Sequence, residues 1–234
     1  MKRVLITGVA GEVGMILANA FIDKGIDVYG VDHVNRETHE GLDLIGRNAL
    51  FHFNNQSISE IDWSAEDPVD VIFHLAQSVP TSPRISEIKK SVSQSLSNMK
   101  RLVAFAAESG AKVVIISSTD VFGPILTDYG KKDLEPAPRS LYGTLMLAEE
   151  TFLKRNAKKD NVPYHIVRLP CLMGSNHPIS DKCHAIDTDD KAGFTTEERE
   201  NSKEVIITRE EFIEICLKII NDDLDESIIT LFNK

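Results

Sequence analysis

Short apolar, β-rich runs alternate with helical segments along most of this chain, and that alternation restricts the fold more than any other feature. The runs "RVLIT" (3–7), "DVYGVD" (27–32), "ALFHF" (49–53), "DVIFHLA" (70–76), "KVVIISS" (112–118) and "YHIVRL" (164–169) read as strands. Between them, residues 11–25 set Val13, Ile16, Leu17, Ala20 and Phe21 at helical spacing, with Gly25 as a stop. Residues 87–110 place Leu102, Phe105 and Ala106 on one helical face and end at Gly110, and residues 142–159 form a further helix. Continuously apolar strands separated by helices predict a parallel sheet covered on both faces, an α/β fold of the doubly wound, Rossmann type.

The C-terminal part reads differently. Residues 171–203 are polar, acidic and poor in apolar runs and read as loop, and residues 175–204 are expected to form a mobile surface segment over a cleft. After them "VIIT" (205–208) leads into "REEFIEICLKII", where Thr208 and Glu211 have the spacing of a capping box. "SIITLF" (227–232) predicts a last strand.

Charge and cysteines exclude several classes. The 36 acidic residues outnumber the 26 basic ones, for a net charge of −10, which disfavours nucleic acid or an anionic membrane as partner. Three cysteines without CxxC spacing do not make a disulfide scaffold. No apolar window is long enough to span a bilayer, and "MKRVLITG" has too short an apolar run for a signal peptide. The expectation is a soluble, cytoplasmic protein. Cys171, His177, Asp181, Cys183, His184 and Asp187 cluster within a short stretch, but their spacing matches no zinc pattern, so no metal is expected.

The first strand runs into "ITGVAGEVGMI", a G-x-x-G-x-x-G loop of Gly8, Gly11 and Gly14 that opens the first helix. Glycines let the backbone approach a pyrophosphate, and the helix N-terminus offers free N–H groups, here those around Glu12 and Val13. Asp32 ends the second strand, 18 residues beyond Gly14, where a carboxylate accepts from the adenosine ribose hydroxyls. It would repel a 2′-phosphate, so NAD is expected over NADP, although Arg36 nearby keeps NADP open. His74 on its apolar strand reads as a satisfied core or cofactor-adjacent histidine, and "KRNAKK" (154–159) as a solvated helix end.

At this point the chain resembles the extended short-chain dehydrogenase/reductase family, the NAD-dependent epimerase/dehydratases of nucleotide sugars. "TGVAGEVG" is similar to the family's TGxxGxxG, "FHLAQ" (73–77) to its HLAA, "SSTDVFG" (117–123) to SSxxVYG and "LYGTLMLAEE" to YGxSKxxxE. "RLPCLMG" (168–174) resembles RxxNVYG, and the segment from Val205 resembles HVDDVAxAI. The resemblance implies that Leu75, Ala76, Gln77 and Ser117 line the cofactor. It implies that Ser118 holds the substrate oxygen and that Tyr142 is the acid/base in hydride transfer, with Asp120 a nearby acidic candidate. It also implies pairing of two copies through helices 87–110 and 142–159.

Two departures matter. The family's lysine, which binds the nicotinamide ribose and lowers the tyrosine pKa, is Met146 here. Free tyrosine has a pKa of about 10, so roughly one molecule in a thousand is ionised at neutral pH, and recovering three units requires about 4 kcal/mol. Only about thirty residues (175–204) separate the RxxNVYG-like and HVDDVA-like segments, fewer than is common in the family. The expected organisation is a dinucleotide-binding domain over residues 1–170 and a much reduced substrate region over 171–234, interleaved with it. Two functional readings stand: reversible hydride transfer on a nucleotide sugar or a related hydroxylated metabolite, or NAD(H) binding without turnover in a structural or regulatory role. An NADP-dependent reductase anchored by Arg36 is a third.

Overall fold

A computed structural model describes residues 1–34, 40–77, 84–123, 134–172 and 206–231. Seven parallel strands form the central sheet: β1 (Arg3–Thr7), β2 (Asp27–Val31), β3 (Phe51–Asn54), β4 (Val71–His74), β5 (Lys112–Ser118), β6 (Tyr164–Leu169) and, last in sequence, β9 (Ile228–Thr230). Their spatial order is β3-β2-β1-β4-β5-β6-β9, with the order reversing beside β1. That reversal is the doubly wound topology, and it opens a crevice at the C-terminal ends of β1 and β4. A two-residue pair, β7 (Cys171–Leu172) with β8 (Ile206–Ile207), stands apart from the sheet.

Among the described residues, α1 (Glu12–Asp23), α2 (Glu40–Ile45), α3 (Ile85–Ser109), α4 (Leu141–Asp160) and α5 (Arg209–Ile220) flank the strands. Alternate residues of each strand point to opposite faces. Val4 and Ile6 therefore join Leu17 and Phe21 of α1 and Phe212, Cys216 and Ile219 of α5 in one core layer. Leu5, Val113 and Ile115 join Met99, Leu102 and Phe105 of α3 and Leu153 of α4 in the other.

The strand and helix expectations hold at their centres and shift at their ends. The run 70–76 is strand only over Val71–His74, because the chain then turns out of the sheet along the glycine loop. Helix 87–110 starts at Ile85, and helix α2 is an addition whose six residues are too few to show a helical period in the sequence. Thr208 and Glu211 form the full reciprocal capping box. Residues 173–205 lie outside the described residues, and with them the expectation of a mobile loop. The side chains of the Cys171–Asp187 cluster and of Arg36 lie outside them too. Among the described residues no helix is long and apolar enough to cross a membrane.

Candidate functional site

The three loop glycines have different jobs. Gly8 has φ +74° and lies against the end of β4, where a Cβ would sit 2.8 Å from the Ala76 nitrogen. A Cβ on Gly14 would sit 2.3 Å from the Gly8 carbonyl oxygen, so this glycine lets α1 start directly beneath the loop. Gly11 has an ordinary φ of −67°, and a Cβ there would meet only the Gly8 oxygen, at 3.3 Å. The chain's own packing thus demands glycine at 8 and 14 but asks only a few tenths of an ångström of give at 11. The open side of Gly11 is the cradle at the α1 N-terminus that a pyrophosphate fits.

Asp32 is half-buried and clamps the loop. Its carboxylate accepts from the Ala10 N–H at 2.9 Å and from the His33 N–H at 2.7 Å. A carboxylate has about four acceptor sites, so two amide bonds leave capacity for ribose hydroxyls. Glu12 begins α1 and approaches Arg209 at 3.6 Å. Val13 is buried in the core, so its backbone alone faces the loop.

His74 is fully buried, and its Nδ1 lies 2.7 Å from the Thr7 hydroxyl. Burial pushes its imidazole down to about 4, so it is neutral at ordinary pH. It is a core histidine joining β4 to β1. Leu75 and Ala76 leave the strand by donating their N–H groups to the Thr7 carbonyl and hydroxyl, at 3.1 and 3.5 Å.

At the end of β5 the chain makes a 3-10 turn over Thr119–Phe122, capped by Ser118, whose Oγ accepts from the Asp120 N–H at 3.1 Å. The first turn of α4 packs directly on it, since a Cβ on Gly143 would lie 2.4 Å from the Asp120 carbonyl oxygen. Ser140 caps α4 by accepting from the Gly143 N–H at 2.9 Å. These contacts hold the first turn of α4, which carries Tyr142, against the 3-10 turn that Ser118 caps. Tyr142 and Met146 are both buried, with Val121, Phe122 and Leu145 around them.

Gln77 reaches into this group. Its Nε2 donates to the Ile116 carbonyl at 3.2 Å and to the Met146 sulfur at 2.9 Å, and its Oε1 receives the Tyr142 hydroxyl at 3.4 Å. Gln77 thus occupies the space between the tyrosine and the residue at the lysine position.

Behind the site lies a buried charge network. Ser117 donates to Glu150 Oε1 at 2.7 Å, and Arg168 grips the same carboxylate with two bonds of 2.9 and 2.7 Å. Lys154 stands 3.6 Å from Glu150, and the Arg168 guanidinium covers the Phe122 ring at 4.8 Å. Four elements, β5, the 3-10 turn, α4 and β6, are pinned together at Ser117, next to Ser118. Ser117, which the resemblance places along the cofactor, turns its hydroxyl to Glu150.

Glu149 was not singled out from the sequence. It is 3% exposed, hydrogen-bonded by Ser95, and among the described residues no cation pairs with it. Burial pushes its carboxyl up to about 7, against the pull of the Ser95 hydrogen bond. With Gln77, Ser95 and Met146 it lines a small pocket between α3 and α4. The available signal was its place on the same helical face as Tyr142 and Met146, seven and three residues earlier.

The architecture is shared with solved structures. The UDP-glucuronic acid 4-epimerase of Bacillus cereus, in complex with UDP-glucuronic acid and NAD, superposes with a TM-score of 0.77 over 99% of this chain and 78% of that one, at 21% identity. The UDP-N-acetylglucosamine 4-epimerase of Methanobrevibacter ruminantium gives 0.75 over 99% and 76%, at 17% identity. At such identities the likeness shows the fold. Among curated proteins, a UDP-glucose 4-epimerase of Mycolicibacterium smegmatis is 26% identical over 156 residues, 64% of this chain and 50% of that protein. The UDP-glucuronic acid decarboxylase 4 of Arabidopsis thaliana is 27% identical over 190 residues, 76% of this chain and 41% of that protein. The chain spans half or less of the length of these relatives. The sequence model of one family matches residues 4–189, from β1 through the glycine loop and the tyrosine-bearing helix, and the chain belongs to that family, the NAD-dependent epimerase/dehydratases.

Proposed function

We propose that this chain binds NAD(H) in the crevice above β1 and β4 and supports reversible hydride transfer on a nucleotide sugar or a related hydroxylated metabolite. The observation that carries this reading is the open cradle at Gly11, together with the packing of the Tyr142-bearing start of α4 on the turn capped by Ser118. The backbone around Gly11, Glu12 and Val13 would hold the pyrophosphate, and Asp32 the adenosine ribose. Leu75, Ala76 and Gln77 would line the nicotinamide side. The dinucleotide, when bound, supplies the hydride acceptor and donor. Ser118 would donate its hydroxyl to the substrate oxygen, Tyr142 would exchange a proton with that oxygen, and Asp120, bonded through its N–H to Ser118, would be the nearby acidic group. Residues 1–170 would serve the dinucleotide and residues 171–234 the substrate, with α5 and β9 also completing the sheet layers.

Calorimetric titration of the purified chain tests this. Tighter binding of NAD than of NADP is expected. Tighter NADP binding, or binding of neither at millimolar concentration, would refute it. Binding without turnover of any UDP-sugar would leave the dinucleotide half and remove the catalytic half.

A further inference from the structure

Gln77 can be oriented in only one way. The Ile116 carbonyl oxygen accepts and never donates, so the Gln77 atom facing it at 3.2 Å must be the amide nitrogen. The Met146 sulfur, a weak acceptor with no proton to give, takes the second N–H from the same nitrogen at 2.9 Å. With both amide hydrogens committed, the oxygen is what remains for Tyr142. That oxygen has no hydrogen, so in this contact the phenol is the donor and must be protonated. A hydrogen bond given by the neutral form of an acid favours that form. The effect is opposite in sign to that of the ammonium the family resemblance places at position 146.

We propose, building on the hydride-transfer reading above, that Gln77 is a positioning residue. Locked by Ile116 and Met146, it holds Tyr142 protonated and biases the site toward a substrate that presents a carbonyl oxygen. The Tyr142–Gln77 bond is long at 3.4 Å, so the hydroxyl gives it up cheaply and turns to a better acceptor. The Ser118 hydroxyl accepts from Asp120 and keeps its own proton for donation. A carbonyl oxygen, with two lone pairs, satisfies both donors at once. A reduced dinucleotide bound there would supply the hydride to the carbonyl carbon; Tyr142 would give its phenol proton to the oxygen to form the hydroxyl and, left as tyrosinate, would take a proton back from solvent. The reverse reaction needs a tyrosinate, which Gln77 disfavours.

The test is a pH titration of tyrosinate ultraviolet absorbance on the full chain without cofactor. Subtracting the Tyr142→Phe trace isolates Tyr142. Gln77→Met keeps the side-chain length and removes the oxygen acceptor, and the Tyr142 midpoint is expected to fall by about half a unit, less than a hydrogen bond of ordinary length would give. If Gln77→Met does not fold, Met146→Leu, which loosens Gln77, is expected to move the midpoint the same way by less. An unmoved or raised midpoint in the folded variant would overturn the proposal. A chain that shows the shift but binds no dinucleotide would refute the hydride-transfer reading and leave the role of Gln77 standing. One that binds NAD without the shift would refute the role alone.

Discussion

The Nε2 of Gln77 lies 2.9 Å from the Met146 sulfur, so two residues that depart from neighbouring family motifs touch each other. Position 77 is alanine in the motif that "FHLAQ" resembles, and position 146 is lysine in the motif around Tyr142. A lysine at 146 would meet the Gln77 amide nitrogen with like donors, while a thioether accepts from it. The two departures are therefore one local rearrangement around the Tyr142 hydroxyl.

Restoring the lysine alone should do little. In Met146→Lys the new ammonium lies one helical turn before the buried Glu149 carboxyl, and i,i+3 pairs of this kind attract. Adding Glu149→Gln frees the ammonium for Tyr142. Steady-state oxidation rates at neutral pH are expected to be roughly tenfold higher in the double variant than in the single one, equivalent to ~1.4 kcal/mol. Tyr142→Phe should abolish both. Equal rates in single and double variants would show that Glu149 does not capture the lysine.

Glu149 and His74 make opposite contributions to stability between about pH 4.5 and 7. Burial raises the Glu149 carboxyl from 4.5 to about 7, so the unfolded chain loses this proton first. The stabilising contribution is full below 4.5 and is lost as pH rises through 7, a change of roughly 3 kcal/mol. Burial lowers His74 from 6.5 to about 4, so its contribution is full above 6.5 and is lost as pH falls toward 4. Denaturant unfolding of Glu149→Gln should show a gain over the parent at pH 8 that shrinks or vanishes at pH 4. A gain independent of pH would mean that the carboxyl is not held protonated by the fold.

The loop glycines separate folding from binding. Gly14→Ala drives a Cβ to 2.3 Å from the Gly8 oxygen, an overpacking that should cost on the order of 1–3 kcal/mol and lower the melting temperature. Gly11→Ala meets only a 3.3 Å contact at an ordinary φ, so the melting temperature should stay close to the parent's while NAD affinity drops. Thermal melts with and without NAD read both effects. Unchanged NAD affinity in Gly11→Ala would place the pyrophosphate elsewhere.

Arg168 should prove structural through Glu150. Arg168→Met leaves a fully buried carboxylate with the Ser117 hydroxyl and the more distant Lys154, at 3.6 Å, as its remaining partners among the described residues, and breaking such a pair costs about 3–5 kcal/mol. Replacing both residues, Arg168→Met with Glu150→Leu, should recover much of that loss. Urea midpoints of the two variants decide the matter. A double variant less stable than the single one would show that the network supplies more than charge compensation.

The sequence by itself determined the layers of this protein and the site of its phosphate loop. The period of apolar residues in β1, β5 and β6, the glycine spacing after β1 and the Thr208–Glu211 capping box are local patterns, and local patterns survive without knowledge of the fold. Tyr142, Ser118 and Asp120 stand out as candidates for the same reason, each lying in a short motif. What only the tertiary structure decided is who touches whom across large separations. Gln77 meets Met146 and Tyr142 across more than sixty residues. Glu149 is closed off by Ser95 from a different helix, and the Ser117 hydroxyl is turned to Glu150, which Arg168 also grips. Burial and hydrogen-bond direction are properties of the assembled neighbours. A glutamate on a helix reads as solvated until a second helix covers it, and a glutamine reads as neutral filler until a backbone carbonyl fixes which end faces the tyrosine.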